Sequence, residues 1–106
     1  MNDTVTSAAS PLGARSTAAV PTASASRYLQ QLCKHFAHKR PVVFDKETGS
    51  ISLSAGDCRL SARAGTLRLA LAADDAESLL RLQKTVERHL VRFAFREEMR
   101  IDWRAA

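Results

Sequence analysis

Much of what would announce a chemistry is missing from this sequence. No apolar run approaches the ~18 residues of a bilayer-crossing helix, and the first fifteen residues do not run from charged to apolar as a secretory signal does. Neither a membrane span nor export is expected, and the cytoplasm is the expected location. Aromatic side chains make up only 6% of the chain, which provides few stacking platforms for a single-stranded nucleic acid. There is no G-x-G-x-x-G, no P-loop and no G-x-S-x-G, so neither nucleotide binding nor nucleophile-elbow hydrolysis has a motif behind it, and no cofactor is indicated. The two cysteines, Cys33 and Cys58, form no C-x-x-C and no second metal-type pair; reduced thiols packed as small hydrophobes are expected. The carboxylates have structural uses: Asp45 and Glu47 at a turn, Asp74 and Asp75 before a helix, Glu97 and Glu98 after one. No convergent acid/base pair stands out among them.

What is present suits one domain. The chain has 106 residues, 45% of them hydrophobic, enough to close a modest core without staples. Residues 1–16 are rich in Ser, Thr, Ala and Gly, with Pro11 and Gly13 and no hydrophobic period, and are expected to form a disordered leader. The domain is expected over residues 17–106. A formal charge of +5 invites an acidic partner. The basic residues are spread over both expected helices, two strands and the C-terminus, which weakens the case for nucleic acid.

Thr17 to Val20 reads as an edge strand ending at Pro21. Ser24 or Ser26 is the expected N-cap of a first helix, along which Ala25, Tyr28, Leu29, Leu32, Cys33 and Phe36 form one apolar stripe. Arg27, Gln31, Lys34 and His38 lie opposite, His35 lies at the border as a half-buried side chain, and Pro41 stops the helix. The period then changes from helical to two. Val42 and Phe44, Ile51 and Leu53, Cys58, Leu60 and Ala62, and Leu67, Leu69 and Leu71 share one face across short turns at Lys46–Gly49, Ala55-Gly56 and Ala64-Gly65. Asp74 and Glu77 have capping-box spacing before a second helix reaching about Ala94, with Ala76, Leu79, Leu82, Val86, Leu90 and Phe93 as its stripe. Met99, Ile101 and Trp103 alternate with charged residues in a last short strand or extended tail.

This order, β-α-β4-α with a short C-terminal strand, is α+β: a two-layer domain in which an antiparallel β-meander carries both helices on one face. The opposite face, with Ser52, Ser54, Arg59, Ser61, Arg63, Thr66 and Arg68, reads as solvated sheet.

Three groups merit a chemical reading. His35 and His38, three apart on a helix, are candidate metal ligands, although two ligands do not complete a site; His89 on the second helix is a third to watch. Cys33 would serve as a nucleophile only beside a base, and its side chain diverges from His35 by about 200° on the helical wheel. Phe95 and Arg96 follow the second helix; Phe95 points about 160° from Leu79 if the helix persists. The helix is therefore expected to break there, with Arg96 paired to Glu97 or Glu98. The functional alternative is a partner contact centred on Phe95, with Arg96 as its polar handle.

The segments RYLQQLCKHFAHKRPV, Arg27 to Val42, and HLVRFAFREEMRIDW, His89 to Trp103, resemble a bacterial family catalogued as domain of unknown function 2218, some members of which accompany siderophore-interacting flavin reductases and other iron-uptake proteins. The resemblance covers Thr17 to Trp103 and supplies no catalytic residues. It implies a non-enzymatic accessory domain in iron or siderophore handling, with a siderophore-interacting or iron-uptake protein as candidate partner; apart from the resemblance, a homodimer closing over the exposed sheet face is a candidate assembly. Tyr28, His35, His38, Phe95 and Arg96 are the candidate contacts. Two alternatives are a metal-binding or redox enzyme using His35, His38 and Cys33, and an acidic-polymer binder using Arg81, Lys84, Arg88 and Arg92 on the second helix.

Overall fold

A computed structural model describes residues 13–106. Among them the chain forms six strands and two helices in the order β1 (Ala14–Pro21), α1 (Ala25–Ala37), β2 (Val42–Phe44), β3 (Thr48–Leu53), β4 (Gly56–Arg63), β5 (Thr66–Ala73), α2 (Ala76–Phe93) and β6 (Arg104–Ala105). The strands make one antiparallel sheet in the order β2-β3-β4-β5-β1-β6. Four consecutive strands form the expected meander. β1 inserts between its last strand and the C-terminal β6, so it is an inner strand rather than an edge. Both helices lie on one face: α1 packs over β2 to β5, and α2 over β5, β1 and β4.

The period-two pattern becomes a core through the strand register. Val42, Ile51, Cys58, Leu71 and Ser16 lie in one row across the inner face, and Gly49, Leu60, Leu69 and Ala18 in the next. Onto these rows α1 lowers Tyr28, Leu29, Leu32 and Cys33, and α2 lowers Leu82, Val86 and Leu90, all fully or almost fully buried. Burying each large side chain contributes about 1.5–3 kcal/mol relative to leaving it exposed.

Three local expectations are corrected. The first described strand begins at Ala14, so the part of the expected leader from Ala14 to Ser16 lies in the sheet; residues 1–12 lie outside the described residues. Ser16 is buried, and its hydroxyl accepts a hydrogen bond of 2.9 Å from Gln83 of α2. Ser24 is the N-cap of α1 by position, yet neither serine caps with its side chain: Ser26 Oγ donates to the Lys46 carbonyl at 2.6 Å. The cap of α2 is Asp75, not Asp74; its carboxylate accepts from the Ser78 amide at 2.7 Å.

The expected end of the second helix is observed. α2 stops at Phe93, which leaves Phe95 in the following turn, 78% exposed. The corner is pinned differently from expectation: Glu97 accepts from the hydroxyls of Tyr28 and Thr22, and Arg96 lies over the Phe95 ring at 5.4 Å. Beyond it Met99, Ile101 and Trp103 pack against the core, and the Trp103 indole donates to Glu87 at 3.0 Å.

Candidate functional site

The residues that drew attention in the sequence occupy different places. Tyr28 is a core residue, 1% exposed, whose hydroxyl donates to the Glu97 carboxylate. That bond, reinforced by burial, raises the phenol above its ordinary value. Tyr28 thus anchors the turn after α2 to the start of α1. Phe95 and Arg96 form an exposed pair on that turn, and His38 is exposed at the end of α1.

His35 is exposed rather than half-buried, and its ring partner comes from the other helix: the ring centres of His35 and His89 are 4.7 Å apart. Phe36 lies 5.0 Å from His35 and 4.9 Å from His89, and Phe93 closes the group at 6.0 Å from His35. Desolvation, followed by the charges of His89, His38, Arg92 and Lys39, holds His35 below the ordinary imidazole value. Cys33 points away from this group into the core, where burial pushes its thiol up to about 11; Cys58, also buried, is pushed to about 12. A thiol with such a value carries almost no thiolate at neutral pH, so redox chemistry at Cys33 has no nucleophile to start from.

Among the described residues, the sheet face opposite the helices is uncovered. There a groove of about 580 Å³ runs over β4, β5 and β1 and is bounded by Arg59, Arg68, Arg104 and Asp102. Strand register explains its shape. Val43, Ser50, Arg59, Ala70, Thr17 and Arg104 form one row across the outer face, and Ser61, Arg68 and Ala19 the next. Small side chains at Ala70, Thr17, Ala19 and Ser61 make a low floor, and arginines stand at its borders. Arg59 and Arg104 are three strands apart, so their backbones are about 14 Å from each other, and Arg68 is about 7 Å further along the strands. Among the described residues none of these three arginines has a carboxylate within salt-bridge distance, whereas Arg63 pairs with Glu47 at 3.6 Å and Arg81 with Glu77 at 3.7 Å. A second groove of about 300 Å³ continues toward Arg15 and Asp57.

The alternation of β4 and β5 already put Arg59 and Arg68 on the solvated face. That they border a groove depends on β6 pairing with β1, Thr17 opposite Arg104, a contact across almost the whole chain. His89 belongs beside His35 only once the rotation of α2 against α1 is known.

Among the described residues the fold is a small α+β domain with one covered and one uncovered side of a single sheet. The family model described as "Uncharacterized protein conserved in bacteria (DUF2218)" matches residues 17–104, and the chain belongs to that family. It is similar to the NMR structure of PA4090 from Pseudomonas aeruginosa, with a TM-score of 0.73 and 38% sequence identity over 87% of this chain and 96% of that one. No curated protein matches it. No helix among the described residues is long and apolar enough to cross a membrane.

Proposed function

We propose that the chain is a non-enzymatic binding domain of bacterial iron or siderophore handling, acting in the cytoplasm, and that its acidic ligand lies on the open face of the sheet. The observation that carries this reading is the groove bounded by Arg59, Arg68 and Arg104 over a floor of Ala70, Thr17, Ala19 and Ser61. Guanidinium groups bind carboxylates and related oxyanions through paired, charge-assisted hydrogen bonds. Three of them around a shallow floor suit a flat, multiply charged anion more than a neutral or cationic ligand. Ferric chelates built from carboxylates or catecholates have that character, which is how the groove meets the setting that the family resemblance implies. An iron-uptake protein presenting such a chelate is the corresponding partner.

The test uses gallium citrate, a diamagnetic stand-in for ferric citrate, titrated into the full chain while backbone amides are followed by NMR. Saturable shifts are expected at Thr17, Ala19, Ser61 and Ala70, weakened by added salt and by Arg68→Glu. Absence of saturable open-face shifts at millimolar gallium citrate, with the fold intact, would refute the reading.

A further inference from the structure

On the covered side of the sheet, we infer that His35 and His89 form a two-imidazole site for a borderline transition metal, copper(II) foremost. The site bridges α1 and α2 and is independent of the open-face groove. Three observations converge on it.

The first is spacing. With a metal–nitrogen bond of about 2.0–2.1 Å, the metal lies roughly 3.2 Å from the centre of each ring. Two rings seen from the metal at about 90–109° then have centres roughly 4.5–5.2 Å apart. The observed separation is 4.7 Å, with the ring planes inclined at 50°, so the rings are not stacked face to face.

The second is proton placement. His89 Nδ1 lies 2.7 Å from the Thr85 carbonyl oxygen. A carbonyl only accepts, so Nδ1 carries the proton, and in the neutral ring Nε2 is the atom left to bind a metal. Metal-bound histidines are commonly oriented and held in one tautomer this way.

The third is rigidity. Both histidines stand on helices, and the Phe36 and Phe93 rings limit where their imidazoles can go.

The donor set selects the metal class. Neutral imidazole suits copper, nickel and zinc, while magnesium, calcium and ferric iron favour oxygen donors. Among the described residues no three His, Cys, Asp or Glu side chains converge. The protein therefore contributes two ligands and leaves the other positions to water or an anion. The fixed charges of Arg92 and Lys39, which act on His35, oppose a bare dication and favour an anionic co-ligand.

The experiment titrates zinc chloride, then copper chloride, into the full chain at pH 7.5 in a non-chelating buffer, with thermal melts confirming that each variant is folded. One zinc per chain is expected to shift the ring signals of His35 and His89 together, and copper is expected to bind more tightly than zinc. His35→Gln and His89→Gln should each weaken binding at least tenfold, and His38→Gln less than twofold. His35 is exposed, so its variant carries the test if His89→Gln proves unstable. The inference is overturned if neither metal binds saturably below 1 mM, or if His35→Gln leaves binding unchanged. Arg68→Glu should leave metal binding unaltered, which separates this site from the open face.

Discussion

Replacing Gly49 with alanine measures how closely β3 is pressed against α1. A Cβ at this position would lie 2.7 Å from Cys33 Sγ, 3.4 Å from Leu29 Cδ2 and 3.5 Å from Leu60 Cδ1. Non-bonded heavy atoms prefer about 3.5–4.0 Å, so the overlap with sulfur is roughly 1 Å while the two leucine contacts are tolerable. Cys33 is fully buried on α1 and has little room to turn away. Overpacking of this kind costs about 1–3 kcal/mol. Gly49 does not sit in the left-handed region, so alanine adds no backbone strain there, and the stiffer unfolded chain returns about 0.4–1 kcal/mol. The expected net loss is about 0.5–2 kcal/mol, or several degrees of melting temperature for a domain of this size. Removing the sulfur should cancel it. In a Cys33→Ala background, itself destabilised by about 1 kcal/mol through the small cavity, Gly49→Ala should be neutral or slightly stabilising. Urea unfolding followed by circular dichroism on all four proteins gives the coupling energy, expected at about 1–2 kcal/mol. If Gly49→Ala costs the same in both backgrounds, the clash with Cys33 is not what makes glycine necessary.

Three further outcomes follow from local geometry. Ala64, at φ 52° beside Gly65 at φ 66°, occupies a left-handed hairpin position of the type I′ kind, which Asn tolerates better than Ala because its short polar side chain bonds locally; Ala64→Asn should stabilise by about 0.5–1 kcal/mol in thermal melts, and an unchanged or lower melting temperature would refute the turn assignment. With thiols pushed to about 11 and about 12, Cys33 and Cys58 should resist iodoacetamide at pH 8 in the folded protein and both react in denaturant; prompt labelling of the native chain would contradict their burial. The Ser78 amide, first among its partners, holds the Asp75 carboxyl below the ordinary carboxylate value of 3.8. Its contribution is therefore complete above that value and fades as pH falls through the lower folded-state pKa, so Asp75→Asn should flatten the loss of stability between pH 4 and pH 2 in urea titrations, and an unaltered slope would remove the cap from the account.

The layers were legible because their cause is local. Leu67, Leu69 and Leu71 alternate strictly, and Tyr28, Leu29, Leu32 and Cys33 keep helical spacing; each set is buried. The start of β1 was not legible. Arg15 and Ser16 look like leader residues, and the buried Ser16 hydroxyl is satisfied by Gln83, 67 positions away. The neighbouring Asp74 and Asp75 cannot be separated by spacing alone, because the direction in which the chain enters α2 decides which one caps. At the candidate sites the same division holds. Alternation assigns Arg59 and Arg68 to one face, but Arg104 joins them only through β6, and His89 reaches His35 only through the packing of two helices.

The place of β1 between β5 and β6 has a consequence for the order in which the chain can assemble during translation. Of the described elements β1 emerges first, yet its partner β5 begins at Thr66, so at ~5–20 residues per second it waits a few seconds without the neighbour to which it will be hydrogen-bonded. Its core-facing residues, Ser16, Ala18 and Val20, are small, so the waiting segment presents little greasy surface for misassociation. The outer groove waits longer. Until Arg104 has left the ribosome and paired with Thr17, the floor exists without the far wall that Asp102 and Arg104 supply.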